Sequence, residues 1–141
     1  MADLNFVILT GSSTKDAVVR PKASGQAKAE FSFEVDRPFY RVSGEPVSDL
    51  FLVDVWGELG RWAVENIKTG TRLAVIGTLN KESYMTRGGR EHLTVIKAKG
   101  LQLLDGKDWE LRLDDEAIKG DSWDPDTIRA AVQAIQELIG F

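Results

Sequence analysis

The segment of residues 50–84 constrains the fold more than any other part of the chain, because it reads as strand, helix, strand. The first strand pattern ends in Trp56 and is interrupted by Gly57, and the second runs to Tyr84. Between them, apolar residues recur at helical spacing over about 58–68. The segment therefore predicts a single helix that connects two strands of one sheet.

Further stretches rich in β-branched and aromatic residues, separated by Gly, Ser and Pro, are typical of strands. One helix between the third and fourth of five strands is the order found in the Greek-key barrel known as the OB-fold. We therefore predict an all-β fold, a five-stranded OB-fold barrel with one helix between strands 3 and 4. The strands are predicted near residues 5–10, 27–36, 48–56, 71–84 and 92–103.

The charge of the chain is unevenly distributed. Residues 1–104 carry 14 Lys and Arg against 12 Asp and Glu, whereas residues 105–141 carry 4 against 10. The overall net charge of −4 therefore comes from the last part of the chain. A segment of one charge sign is typical of an appended tail. We predict a domain over 1–104 and an acidic C-terminal extension over 105–141.

The extension is predicted to end in an amphipathic helix over about 125–139. Asp124 can cap the helix, Pro125 suits its first position, and apolar residues recur at helical spacing after it. The apolar stripe must be buried, and the pattern leaves open whether it packs on the barrel, another subunit or a partner. Trp109 and Trp123 are expected to anchor the extension onto the barrel.

Several classes of protein are excluded by composition. The chain has no cysteine and one histidine, His92, so thiolate sites, a cysteine nucleophile and a two-histidine metal site cannot form. The acidic run 114–116 is interpreted as a solvated surface. We predict no enzyme, no cofactor and no metal. The first residues lack a signal-peptide pattern and no apolar run approaches the roughly 18 residues of a membrane span, so we expect a cytoplasmic protein that binds no membrane.

A series of motifs then points to a family. Asn5–Gly11, the corner Val55–Leu59, the helix end Lys68–Gly70, Ala74–Gly77 and the hairpin after Tyr84 occur in the order found in bacterial single-stranded DNA-binding (SSB) proteins. The chain resembles that family over residues 5–104. The resemblance implies an OB-fold subunit, usually a homotetramer, that coats single-stranded DNA without sequence preference in replication, repair and recombination, in association with the nucleoid.

The resemblance also implies binding residues. Phe39, Trp56 and Tyr84 correspond to aromatics on which bases stack, and Lys15 and Arg20 to cationic or polar positions in the first loop. Aromatic side chains bind any base because every base has a π-face, while Lys and Arg follow the phosphates. The phosphate contacts are predicted among Lys15, Arg20, Arg37, Arg41, Arg72, Lys81, Arg87 and Arg90.

The chain departs from the family pattern at particular positions. Leu50 stands where an aromatic is common, and Asp54 would repel a phosphate unless a neighbouring cation paired with it. At the C-terminus, Ile139 and Phe141 resemble the tip through which family members recruit replication and repair proteins, although a helix that folds back is the alternative.

Structural roles and a second function remain open. Trp56 and Tyr84 could belong to the core, Trp62 is expected there, and the segment 87–90 is expected to form a hairpin tip. The alternative function is an OB-fold adaptor, primosome-like or RNA-binding, that acts mainly through protein contacts.

Overall fold

The computed structural model describes residues 3–21 and 27–140 of the chain. Five long strands, two short ones and three helices make up the described part. In chain order the elements are β1 (Val7–Ser13), β2 (Val18–Pro21), β3 (Ala27–Tyr40), β4 (Pro46–Trp56), α1 (Gly57–Asn66), β5 (Arg72–Thr86), β6 (Gly89–Leu103), β7 (Arg112–Leu113), α2 (Asp115–Gly120) and α3 (Pro125–Ile139).

The five long strands close into a barrel. β3 pairs with β4, β4 runs parallel to β6, β6 pairs with β5, and β5 pairs with β1. β1 then meets β3, where Ser13 lies beside Phe33, and this pairing completes the ring. α1 connects the third and fourth strands of the barrel. The predicted OB-fold order is thereby confirmed, while the short strand β2, which pairs with β3, was not predicted.

The barrel interior is filled by alternate residues of each strand, as the pleat requires. Phe31 and Phe33 of β3 meet edge to face with ring centroids 6.1 Å apart. The side chains that alternate with them on β3 point outward, so that β3 divides core from surface. Other fully buried barrel residues include Val53, Val55, Leu73, Val75, Ile96 and Leu101.

Helix α1 covers one end of the barrel and is shorter than predicted. It ends at Asn66, and Ile67 is already extended, with φ of −96° and ψ of 111°. Ile67 is fully buried and its carbonyl oxygen accepts a hydrogen bond from the N–H of Ala17, 3.0 Å away. Burial of Ile67 in the core therefore ends the helix before Gly70.

The C-terminal extension folds back onto the outside of the barrel. Ala74 and Ile76, whose side chains face outward from β5, form a second buried cluster with Leu111 and with Val132 of α3. The predicted terminal helix is confirmed, with Asp124 capping it through the N–H of Thr127. Of the three coverings left open by the sequence, the structure places this helix on its own barrel.

The two extension tryptophans behave differently. The Trp123 ring meets Phe6 edge to face, with centroids 5.6 Å apart, so it contacts the barrel as expected. The Trp109 side chain is 52% exposed and its indole N–H donates to the nearby Gly106 carbonyl oxygen, while its own carbonyl oxygen accepts from Gln102 of β6 at 2.7 Å. Buried Leu111, Ile118 and Val132 also hold the extension. None of the helices in the described part of the chain is long and apolar enough to cross a membrane.

Candidate nucleic-acid interface

One side of the barrel's outer surface, formed by β2, β3, β4 and part of β6, carries a row of cations and an aromatic. Arg20 of β2 lies opposite Lys28 of β3, and Lys28 lies opposite Trp56 of β4. Directly opposite residues of neighbouring antiparallel strands share a face, with Cβ atoms about 4.5–5.5 Å apart. Two cations and an indole ring therefore stand side by side. We call this set, Arg20, Lys28 and Trp56, the Trp56 row.

Trp56 is positioned by the junction of β4 and α1. It is the last residue of the strand and the N-cap of the helix, and Gly57 turns the chain with a left-handed φ of 62°. A side chain at position 57 would strain that conformation. Trp56 is partly exposed, and it borders a cleft of about 730 Å³. The ring therefore lies at the edge of an open cleft.

The other wall of this cleft is acidic. The start of α2 contributes Asp114, Asp115 and Glu116, and Glu58 of α1 also lines the cleft. Carboxylates repel phosphates, so a nucleic-acid backbone that passes Trp56 is favoured on the side of Lys28 and away from the acidic start of α2 at residues 114–116.

Next to the Trp56 row lies a row of paired charges. Glu30 of β3, Asp54 of β4 and Lys97 of β6 are cross-strand neighbours. Arg20 Nε lies 3.3 Å from a Glu30 carboxylate oxygen, and Lys97 Nζ lies 3.7 Å from an oxygen of Glu82. The cations of this face are therefore shared with carboxylates that a bound phosphate would have to displace or tolerate.

The Lys28–Asp54 pair is the most buried of these. Lys28 Nζ donates to Asp54 Oδ2 at 2.9 Å, and the two side chains are 12% and 3% exposed. Burial lowers the pKa of the Lys28 ammonium, but the hydrogen bond and charge of Asp54, together with Glu30, outweigh it and raise the pKa above its ordinary value. The cation required to offset Asp54 is thus present, and Lys28 stays protonated at neutral pH.

A third row on this face is largely uncharged. Ser32, Leu52, Val95 and Asn80 are cross-strand neighbours from β3, β4, β6 and β5, and of these Val95 is fully buried. Leu50, further along β4, is 64% exposed. Apolar side chains at the surface can contact the faces of bases, although they lack the π-surface of an aromatic.

Part of the predicted set lies on the hairpin that joins β3 to β4. Arg37 forms a bidentate pair with Asp49 across the hairpin, with N–O distances of 2.7 and 2.8 Å. The Arg37 hydrogen bonds hold the pKa of the Asp49 carboxyl below its ordinary value, and Asp49 raises the pKa of Arg37. Arg41 is exposed near the tip. Phe39 lies in β3, but its side chain is outside the described part of the structure.

The second group lies on the hairpin of β5 and β6. Lys81, Arg87 and Arg90 are exposed there, and Arg90 donates to the Ser83 hydroxyl at 2.9 Å. Tyr84 pairs through its backbone with Glu91, and its side chain is outside the described residues. The structure therefore brings the predicted cations together on two hairpins and on the Trp56 row.

Four predicted positions do not join these groups. Lys15 is exposed in the loop between β1 and β2. Arg72 begins β5, where it donates to Ser12 at 3.2 Å and its N–H donates to Asp105. Ile139 is exposed at the end of α3, and Phe141 lies outside the described residues.

Lys28 was missed by the sequence analysis. The alternation in β3 places it on the outward face opposite to Phe31 and Phe33, which is a signal that the sequence contains. The register of β3 on β4, which sets Lys28 beside Trp56, could not be predicted from the sequence. Among residues 3–21 and 27–140, no group of three or more His, Asp or Glu side chains is placed to hold a metal ion.

The model of the single-strand binding protein family matches residues 4–104 of this chain. The chain belongs to that family. The resemblance noted in the sequence is therefore confirmed, and the matched region contains the whole barrel and the Trp56 row.

Individual relatives agree. A single-stranded DNA-binding protein of Streptococcus mutans is 32% identical over 109 residues, which cover 74% of this chain and 64% of that protein. Single-stranded DNA-binding protein 3 of Streptococcus agalactiae is 33% identical over 109 residues, covering 74% of this chain and 76% of that protein. The chain thus spans less than two thirds of the length of the Streptococcus mutans relative.

Solved structures show the same fold. A small single-stranded DNA-binding protein from Streptomyces coelicolor superposes with a TM-score of 0.60 at 18% identity, over 70% of this chain and 92% of that one. The SSB of Plasmodium falciparum, in a complex with single-stranded DNA, gives 0.62 at 20% identity, over 74% and 98%. At these identities the likeness extends to the barrel fold.

Proposed function

We propose that this protein binds and protects single-stranded DNA without sequence preference, through the outer face of β2, β3, β4 and β6. The Trp56 row is the observation that carries the proposal, because it sets an indole ring directly beside Lys28, with Arg20 one strand further. Single-strand binders combine an aromatic platform for the base with cations for the backbone. Membership of the family supports the same conclusion.

The proposed path continues from the Trp56 row onto the two hairpins. Arg37, Phe39 and Arg41 would extend it along the first hairpin, and Lys81, Tyr84, Arg87 and Arg90 along the second. Lys15 would contribute from the first loop, and Arg72 from the start of β5. Affinity for phosphates along this path is lowered by Asp49, Asp54 and Glu82, because these carboxylates already pair with cations of the face.

In this proposal the protein acts by binding and has no catalytic role. We further propose that the protein forms a homo-oligomer, a tetramer by family resemblance, and that it recruits replication or repair proteins through Ile139 and Phe141. It acts in replication, repair or recombination, in the cytoplasm and in association with the nucleoid. The division into a barrel domain over 1–104 and an extension over 105–141 belongs to the same proposal.

The test is a titration with oligonucleotides of about 16 nucleotides, the upper range of OB-fold site sizes. Thymine, cytosine and adenine homopolymers should bind with similar affinity, because stacking and phosphate contacts do not read base edges. The matching duplex should bind far more weakly. A protein that binds none of the single strands would contradict the proposal and favour the OB-fold adaptor.

A further inference from the structure

A second cleft, on the other side of α2, combines lysines with an aromatic ring. It has a volume of about 760 Å³ and lies between the β5–β6 surface and the turn that joins α2 to α3. The barrel contributes Lys97, Lys99 and Asn80, and the extension contributes Asp121 and Trp123. We call it the extension cleft.

The two lysines have different electrostatic surroundings. Lys99 Nζ lies 2.8 Å from Asp121 Oδ2, so this ion pair ties the α2 end to the barrel and its charge is largely offset. Lys97 is 43% exposed, with its nearest carboxylate oxygen, on Glu82, 3.7 Å away. Asp3 is exposed and also lines the cleft. Lys97 is consequently the cation best placed to meet a phosphate there.

Trp123 supplies an aromatic wall. Its ring contacts Phe6 at an interplanar angle of 67°, and Trp123 remains partly exposed. Ser122, just before it, holds a left-handed φ of 65°, which is uncommon for a residue other than glycine. This turn ends the helical path of α2, and Trp123 after it lines the cleft.

The extension cleft meets the proposed face at Lys97. Lys97 lies directly beside Asp54, and Trp56 is two residues further along β4. From strand spacings, the Cα atoms of Lys97 and Trp56 are about 8 Å apart. A strand with one base stacked on Trp56 can therefore reach Lys97 with its following nucleotides.

Resting on the proposed function, we infer that the extension cleft is a further nucleotide subsite for single-stranded DNA. Lys97 meets the phosphate and Trp123 stacks on the base. The extension, acidic as a whole, thereby contributes an aromatic to the DNA path while its α2 carboxylates limit the path at Trp56.

The experiment measures affinity for thymine oligonucleotides of about 16 nucleotides in Lys97→Gln and Trp123→Leu variants. Leucine retains an apolar contact with Phe6 and removes the stacking surface. Trp123→Leu should weaken binding roughly five- to 150-fold, the range of losses for one stacking aromatic, and Trp123→Phe should restore most of it. Lys97→Gln should reduce the slope of log affinity against log salt by about 0.7, as one lost phosphate contact requires.

Matched controls are Lys107→Gln and Trp109→Leu, which change the same residue types in the extension away from the cleft. Unchanged affinity and salt slope in both cleft variants, with Trp56→Ala still weakening binding, would overturn the inference alone. Unchanged affinity in Trp56→Ala as well would contradict the proposed face. If Trp123→Leu does not fold, the affinity of Trp123→Met decides, because Lys97 also belongs to the proposed face and its salt slope alone does not separate the two proposals.

Discussion

Lys28 donates to Asp54 across β3 and β4, with Nζ 2.9 Å from Oδ2, immediately beside Trp56. The other oxygen, Asp54 Oδ1, is buried and has no hydrogen-bond partner among the residues described. Asp54 therefore relies on Lys28, and one ammonium both stabilises the sheet and faces the proposed DNA path.

Replacing Lys28 alone should destabilise the protein. Lys28→Met leaves the Asp54 carboxylate buried without its cation, which costs about 3 kcal/mol in the free energy of unfolding. The double variant Lys28→Met with Asp54→Leu should recover most of that loss, since an apolar pair can replace a buried ion pair. Urea unfolding measures the stability of both variants. Equal stabilities of the single and the double variant would contradict the dependence of Asp54 on Lys28.

The ionic component of binding should be visible in its salt dependence. Log affinity for a thymine oligonucleotide should fall with log salt by roughly 0.7 per phosphate neutralised. Arg20→Gln should lower the slope by about that amount, whereas Lys107→Gln in the extension should leave it unchanged. A wild-type slope in the Arg20→Gln variant would show that Arg20 does not contact a phosphate.

The docking of the extension should contribute to stability. Val132 is fully buried against Ala74 and Ile76, so Val132→Ala should lower the free energy of unfolding by about 2 kcal/mol. Val42→Ala, at a fully exposed position of the β3–β4 hairpin, is the matched control and should change nothing. Equal stability of the two variants would show that α3 does not hold this position in solution.

Acid should weaken the contact between the first loop and the segment after α1. Asp16 accepts from the N–H of Thr69 at 2.8 Å and from its hydroxyl at 3.0 Å, and these bonds hold the pKa of the carboxyl below its ordinary 3.8. A depressed pKa gives stability that is present above the ordinary value and lost as the pH falls below it. Asp16→Asn should flatten this part of the pH profile of unfolding, and Asp3→Asn should not.

The barrel could be predicted because each of its strands and its helix shows a pattern within its own short segment of sequence. Each strand shows its own alternation, and Gly57 and the following apolar spacing identify the helix. Lys28 could not be placed next to Trp56, because the two are 28 positions apart and only the register of β3 on β4 joins them. Strand register depends on packing over the whole sheet.

The extension was harder to predict for two physical reasons. α2 has six residues, too few to show a helical period, although Asp114 caps it through the N–H of Ala117. The apolar stripe of α3 predicts that the helix is buried on one side, but it does not identify the surface that covers it. In the structure this surface is the outward face of β5 around Ala74 and Ile76. Amphipathic patterns reveal a face but not its partner.

The most direct test of the central claim compares two single tryptophan variants. Trp56→Ala should weaken binding of a thymine oligonucleotide by about 1–3 kcal/mol, the range for loss of one stacking aromatic, with the fold intact by circular dichroism. Trp109→Ala, which removes an exposed indole of the extension, should bind like the unaltered protein. Equal affinities of the two variants would contradict the placement of single-stranded DNA on the Trp56 row.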